Sequence, residues 1–307
     1  MSSRLRETAD TVSLTLTPAG DEALGPFDPG QFAMLYAFGV GEIPVSVSRI
    51  GQRELVHTIR SVGAVSAALC ALRPGKEVGV RGPFGTGWEP ERAAGQDIVV
   101  VAGGIGLAPL RPLVLAALAA PRAYGRLNLL AGTRSTDDLL FAERMRTWAA
   151  SPGPPHCRVT ADRPAPAWWG HVGLVTTLLN TARFTPGNTT AYVCGPEVMI
   201  RATARDLLHR GVPAHRIRVS LERNMRCATG HCGHCQLGTV TDACLVPPTA
   251  QNQGAIEDDL VRTVEQVLAE GDPSDEELTH LCERAIRNHD PCISCSTHFL
   301  DLTIART

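Results

Sequence analysis

Along residues 11–90, short apolar runs alternate with turns that carry glycine and proline: Thr11–Leu16, Gln31–Tyr36, Val45–Ser48, Glu54–Ile59 and Glu77–Val80. Strands at this spacing predict a small antiparallel β-barrel. Between Ser66 and Leu72 the apolar period becomes helical, and Arg73-Pro-Gly75 ends it, so a short helix is expected to cap the barrel. From Asp97 the pattern changes. Ile98–Ala102 is an unbroken apolar run, as in a parallel strand covered on both faces, and it leads through glycines into an apolar helix over Leu110–Leu118. Arg126–Ala131 and Thr190–Cys194 read as further parallel strands, with helices near Phe141–Ala149 and Val198–His209. A doubly wound α/β domain is therefore expected after the barrel. Glycine and cysteine dominate 226–238, and polar helical segments over 255–270 and 275–287 precede a last cysteine cluster in a mostly helical tail. The expected divisions are 1–93, 94–222, a cysteine loop at 223–244, and a tail at 245–307.

Composition adds limits rather than direction. The 307 residues suit about two domains, and 44% hydrophobic with 20% charged residues is ordinary for a folded globular chain. A formal net charge of -2 with no basic stripe argues against nucleic acid as a partner. The most apolar stretch, Asp97–Ala120, is interrupted by Gly103, Gly104, Gly106, Pro109, Arg111 and Pro112, so no membrane span is expected. Met1–Asp10 has no apolar signal core, and ten cysteines in a chain of this length point to a reducing cytoplasm rather than a disulfide scaffold.

Two cysteine clusters carry the sharpest chemistry. Cys227-Ala-Thr-Gly-His-Cys232-Gly-His-Cys235 has the C-x4-C-x2-C spacing by which a tight loop presents three thiolates to an iron–sulfur cluster. Near the end, Cys292-Ile-Ser-Cys295 places two thiolates at CxxC spacing, with His298 three residues on, a metal-ligand pattern of different character. The turn Gly103-Gly104-Ile105-Gly106, with Pro109 just beyond, joins a strand to a helix. Small residues there let backbone N–H groups and the helix dipole meet a pyrophosphate. Cys194-Gly195-Pro196-Glu197-Val-Met199 closes another strand at the edge where open sheets bind ligands, although Cys194 taken alone reads as a buried core thiol.

Taken in order, barrel, Gly82-Pro-Phe-Gly85, Gly103-Gly-Ile-Gly106 and Cys194-Gly-Pro196 resemble the ferredoxin–NADP reductase superfamily over about residues 5–238. The cysteine loop and Leu221-Glu-Arg-Asn-Met-Arg-Cys227 are similar to the gamma subunit of cytoplasmic nickel–iron hydrogenases, the sulfhydrogenases, and to its dihydroorotate dehydrogenase counterpart. The resemblance implies an electron-transfer flavoprotein with FAD, NAD(P) and a [2Fe–2S] cluster. In it a hydride passes between nicotinamide and flavin, and single electrons go on to hydrogenase small and large subunits or another electron-accepting protein. It assigns Ile43, Pro44, Val45, Ser46, His57, Thr58, Ile59, Gly63 and Ser66 to the flavin. Many relatives have arginine at the position of Ile43, leaving Arg60 or backbone donors to replace its charge. It also assigns Gly103, Gly104, Gly106 and Pro109 to the nicotinamide dinucleotide's pyrophosphate, and Cys194, Gly195, Pro196 and Met199 to the nicotinamide edge, where Cys194 is the catalytic candidate. Thr133 and Arg134 fall near the adenosine ribose; Arg134 either pairs with a 2′-phosphate or is a solvated surface charge, so NAD and NADP both stay open.

The implied cluster ligands are Cys227, Cys232 and Cys235, with Cys244 as fourth candidate. Relatives place that fourth cysteine about a dozen residues past the third, whereas here it follows after eight. Beyond Gly238 the resemblance changes. Gly238–Gln253 and Asp290–His298 are similar to the C-terminal end of the nickel–iron hydrogenase large subunit. That likeness makes Cys292 and Cys295 ligand candidates for half of a nickel–iron site and His298 a neighbour of it. The chain thus reads as a gamma-like reductase joined to a large-subunit tail, through an in-frame deletion between neighbouring genes or an assembly artefact. The alternatives are a dihydroorotate dehydrogenase-type electron-transfer subunit, or a non-catalytic metal-binding remnant.

Overall fold

The computed structural model describes residues 1–20, 24–221, 228 and 298–301. Its first part is a six-stranded antiparallel sheet. Strands β1 (Ser3–Arg6), β2 (Thr11–Leu16), β3 (Phe32–Ala37), β4 (Gly41–Ile50), β5 (Leu55–Arg60) and β6 (Gly79–Phe84) run in the order β1-β2-β5-β4-β3-β6. The sheet curls on itself. Val12, Leu14 and Leu16 of β2 share one core with Ala33, Leu35 and Ala37 of β3, three strands away, and helix α1 (Ala64–Ala71) adds Leu69 and Cys70 to it. The core also takes in a histidine. Buried His57 on β5 has Nδ1 3.1 Å from the Val45 carbonyl oxygen and 3.2 Å from that of Ser46, so Nδ1 carries the proton, and Nε2 is left without a partner.

The second part is a seven-stranded sheet in the order β10-β9-β8-β7-β11-β12-β13. Strands β7 (Asp97–Gly103), β8 (Leu127–Ser135), β9 (His156–Arg163), β10 (His171–Val172), β11 (Thr189–Cys194) and β12 (Ile217–Leu221) are parallel. The last, β13 (His298–Asp301), pairs antiparallel with β12. Helices α2 (Leu107–Ala119) and α3 (Ala142–Ala150) follow β7 and β8, and α4 (Glu197–His209) follows β11. Alternate residues of β7 feed two cores, with Ile98, Val100 and Ala102 on the α2 face and Val99 and Val101 on the other. This is why that run had to be apolar throughout.

The expected fold class, barrel followed by doubly wound α/β domain, is what forms. Four strands depart from the pattern. β1 is exposed along its length, β9 near the sheet's edge is exposed at His156, Arg158, Asp162 and Arg163, β10 is two residues long, and β12 carries a buried arginine, Arg218, between Ile217 and Val219. Helix α2 begins three residues before the expected Leu110, because first-turn amides have no intrahelical acceptor and Pro109 therefore forfeits nothing there. The polar helices expected at 255–270 and 275–287 lie outside the described residues. Cys157 is a core thiol that burial pushes up to about 12, so at least that member of the unusual cysteine count is inert packing.

Asp97 opens β7 and ties neighbouring segments together: Oδ1 accepts from the Arg126 amide at 2.7 Å and Oδ2 from the Thr185 amide at 2.8 Å. Replacing it strands two donors, so Asp97→Ala is expected to lower unfolding free energy by about 2–4 kcal/mol in urea titrations. His57 should leave a mark on pH dependence. Burial holds it well below the ordinary imidazole range, at about 4, so the unfolded chain takes up a proton at higher pH than the folded one. Its contribution is complete above the ordinary imidazole pKa and is lost as pH falls toward 4. The matching prediction is that His57→Gln flattens the stability profile in that window, whose total depth from this group is roughly 3 kcal/mol.

Candidate functional site

The turn that leaves β7 and the turn that leaves β11 meet backbone to backbone. A Cβ at Gly106 would sit inside the Cys194 carbonyl, 2.6 Å from its carbon and 2.8 Å from the Gly195 nitrogen. One at Gly103 would overlap Met199 and lie 2.9 Å from Pro196 Cδ. Gly195, at φ +158°, has room for none either, with the Gly103 Cα 3.0 Å from that position. These glycines are therefore fixed by mutual contact of the two turns. Gly104 differs. It is left-handed, at φ +53°, and a Cβ there would meet nothing within 4 Å, so the outer surface of the turn is open where α2 begins. An open glycine surface at a helix start is a cradle for an anionic group. Pro109, three residues into α2, turns its carbonyl toward the barrel linker and accepts from Trp88 Nε1 at 2.9 Å.

Cys194 is buried, on the α2 face of the sheet, beside the Gly103–Gly106 turn. At the end of β8, Thr133 is buried and donates to the Ser135 carbonyl at 3.0 Å, whereas Arg134 is exposed. The structure thus brings Gly103, Gly104, Gly106, Cys194, Gly195, Pro196 and Met199 to one point, with Thr133 and Arg134 at the end of the strand next to β7.

On the barrel, Ile43, Pro44, Val45 and Ser46 occupy β4 as a half-buried stretch. His57 underlies them through the Val45 and Ser46 carbonyls, which makes it a support for the strand rather than part of its surface. Thr58 points to the opposite side from His57 and joins Ser13 and Ser48 in a buried hydroxyl cluster, at 2.9 and 2.8 Å, and Ile59 is core. Ser66 closes the loop entering α1: its Oγ accepts from the Val62 and Gly63 amides at 3.0 and 2.9 Å and donates to the Gly63 carbonyl at 3.0 Å. Ser66 therefore shapes the turn, and Gly63 itself is open, since a Cβ on it would meet nothing within 4 Å. Arg60 donates to Asp10 at 2.7 Å, and that guanidinium holds the Asp10 carboxyl below the usual carboxylate range.

Sequence reasoning missed the residues that join the two parts. Buried Trp88 stacks edge-on against Tyr192, ring centroids 5.6 Å apart. Arg218 on β12 donates to the Trp88 carbonyl at 2.8 Å and, through both terminal nitrogens, to Glu89 Oε2 at 3.1 Å. Arg111 on α2 lies 4.4 Å from the Phe141 ring centroid and reaches the Ser48 carbonyl of β4 at 3.5 Å. Glu7 accepts from Ser13 and from the Phe141 amide, the latter at 3.3 Å. Each is a polar residue placed where a pattern of apolar periods has nothing to say; a lone arginine inside an apolar strand was the available signal.

Cys227, Cys232, Cys235, Cys244, Cys292 and Cys295 lie outside the described residues, and among the described residues no group of His, Cys, Asp and Glu is placed to hold a metal. Their neighbour Ala228 is described, and it packs on Phe32 and Met34 of β3. Those two residues pair in register with Ser46 and Pro44 of β4. Ala228 therefore sits against the β3–β4 pair that carries the flavin candidates.

Residues 100–205 match the oxidoreductase NAD-binding domain family. The chain is 34% identical over 225 residues to sulfhydrogenase 2 subunit gamma of Pyrococcus furiosus, covering 69% of this chain and 78% of that protein. It is 37% identical over 221 residues to sulfhydrogenase 1 subunit gamma of the same organism, covering 70% and 75%. It is also 39% identical over 211 residues to a probable dihydroorotate dehydrogenase B (NAD(+)) electron transfer subunit of Methanothermobacter thermautotrophicus, covering 68% and 72%. Among solved structures, an NADH-dependent reduced ferredoxin–NADP oxidoreductase superposes with a TM-score of 0.62 at 23% identity, over 79% of this chain and 84% of the other. A ferredoxin NADP+ reductase from Neisseria gonorrhoeae superposes with 0.58 at 20% identity, over 71% and 95%. With a barrel followed by a doubly wound sheet, the fold those reductases share, the chain belongs to the family of the sulfhydrogenase gamma and dihydroorotate dehydrogenase B electron transfer subunits.

Proposed function

We propose that this protein passes electrons between NAD(P)H and a partner subunit through FAD and a [2Fe–2S] cluster, in the manner of a hydrogenase gamma subunit, and that it works in the cytoplasm. The observation that carries the reading is the glycine turn Gly103–Gly106, locked against Cys194–Pro196 underneath and open at Gly104 above. Its amides and the start of α2 would hold a dinucleotide pyrophosphate, while Cys194, Pro196 and Met199 floor the nicotinamide end. Pro44, Val45 and Ser46, braced by His57, would line the flavin, and Gly63 with the opening turn of α1 would take its phosphates in place of the family arginine absent at Ile43. Once bound, these groups supply hydride transfer, its division into single electrons, and onward relay. The protein's own part is to hold them close, and the packing of Ala228, which follows the proposed ligand Cys227 in sequence, on Phe32 and Met34 of β3 supports this reading.

Cys227, Cys232, Cys235 and Cys244 are the proposed cluster ligands. Cys292 and Cys295 are proposed as remnants of a large-subunit-like tail holding half of a nickel–iron ligand set, too little to fix that geometry alone. The boundaries 1–93, 94–222, 223–244 and 245–307 accompany this reading. The partner would be hydrogenase small and large subunits. The likeness to dihydroorotate dehydrogenase B electron transfer subunits supports a second reading, told apart by which partner co-purifies.

An anaerobic ultraviolet–visible titration tests the whole. Flavin and iron–sulfur bands should bleach with NADH or NADPH, with about two irons per chain and no nickel; a colourless protein overturns the reading. At the turn itself, Gly106→Ala must displace the Cys194 backbone. It is expected to cut NAD(P)H affinity about tenfold or more while leaving flavin content unchanged, read by flavin absorbance and by calorimetric binding.

A further inference from the structure

Two outliers meet at one contact between the barrel and the sheet. Phe141, the residue before α3, is left-handed at φ 52° and ψ 38°, a conformation rare for a bulky side chain. Arg111, on α2, has its Nε buried with no hydrogen-bond partner, although buried donors are nearly always paired. The guanidinium lies 4.4 Å from the Phe141 ring centroid. Strained backbone persists only where surrounding contacts impose it, and it gathers at functional positions.

The imposing contacts come from the barrel. The Phe141 amide donates to Glu7 Oε2 at 3.3 Å, and Arg111 Nη1 reaches the Ser48 carbonyl at 3.5 Å. Ser48 is the extra residue of a β-bulge: Val47 pairs with His57 and Arg49 with Val56, so the β4 ladder is interrupted there and a backbone group is re-aimed. Within the barrel, Ser13 donates to Glu7, its oxygen lies 2.9 Å from that of Thr58, and Thr58 donates to Ser48 Oγ at 2.8 Å. The contacts therefore close a circuit, from Arg111 through Ser48, Thr58, Ser13, Glu7 and Phe141 back to Arg111, that crosses the joint twice. Burial lowers the Arg111 pKa below the usual guanidinium value, Glu7 favours its charge, and Arg49 and Arg144 oppose it.

The ends of the circuit lie on the two elements that matter most to the proposed chemistry. Arg111 is on the helix that the Gly103–Gly106 turn begins, and Ser48 follows Ser46 by two residues on β4, the proposed flavin strand. We propose that Arg111 is a positioning residue, which holds the dinucleotide cradle at the start of α2 against the flavin strand by clamping the Phe141 ring and the Ser48 bulge. The inference rests on the proposed function. Arg111 acts through the separation of the two parts, and a misplacement of about 1 Å between reacting groups costs on the order of a hundredfold in rate.

The test uses the full chain purified anaerobically with its flavin and mixed rapidly with saturating NADH or NADPH. Arg111→Met keeps much of the side chain's length but removes its charge and donors. It should slow bleaching, per bound flavin, about tenfold or more, and weaken the long-wavelength absorbance that a reduced nicotinamide gives against oxidised flavin. ADP-ribose, which lacks nicotinamide, should bind variant and wild type equally by calorimetry, and Arg111→Lys should restore part of the rate. With no nucleotide present, the Phe141 amide should exchange hydrogen faster in Arg111→Met than in the wild type. Glu7→Gln, made from the barrel side, should slow bleaching too, and the double variant should be no slower than Arg111→Met alone. Asp97→Ala, which loosens the opposite end of the sheet, should leave the rate per flavin unchanged. Bleaching of Arg111→Met within about twofold of the wild type overturns the inference and leaves the proposed function standing, as does the same result for Glu7→Gln where Arg111→Met retains no flavin. Equal slowing in Asp97→Ala also overturns it. A wild type that neither nucleotide bleaches overturns both.

Discussion

Two chain reversals at the carboxyl edge of the parallel sheet occupy the same few ångströms, and they fit only because Gly103, Gly106 and Gly195 lack side chains. Much else follows from this contact. It fixes where α2 starts relative to β11, hence where Pro109 offers its carbonyl to Trp88, hence how the barrel is hung on the sheet. It also turns the conformational freedom of glycine, ordinarily a cost to folding, into a rigid surface with one open position at Gly104. Preorganisation of that kind lets a turn receive an anionic group without rearranging.

The joint between barrel and sheet is polar. Arg218 with Glu89 and the Trp88 carbonyl, Arg111 with the Ser48 carbonyl, and Glu7 with the Phe141 amide are its directional contacts, with Trp88 as the main apolar plug. Directional bonds specify one relative orientation of the two parts, whereas an apolar seam tolerates sliding. The proposed flavin strand on one part and the proposed nicotinamide floor on the other can cooperate only if their separation is held, and this joint is suited to hold it.

The sequence made some of this plain and hid the rest for reasons that can be named. Ile98–Ala102 announced a doubly covered strand because both faces are apolar, and the glycine turn was recognisable because a strand and a helix flank it. The barrel strands were visible wherever an apolar run met a turn. β12 was not, because Arg218 interrupts a five-residue run and its partner, Glu89, lies far away along the chain. Likewise His57 entered only through the family resemblance, and its role as a brace depends on two carbonyls across the barrel. Ser66, read as a ligand contact, turns its hydroxyl inward to shape its own loop. Contacts that need tertiary proximity leave no periodic trace.

The short strand β13 has a consequence for the chain's tail. It covers the outer rim of β12 with antiparallel hydrogen bonds, Arg218 to Asp301 through Leu221 to His298. Without it, β12 would present a row of unpaired amides and carbonyls, the template on which strands of other molecules add and aggregates grow. The four residues of β13 thus serve the fold as a guard strip, and a version lacking them would leave the β12 edge adhesive.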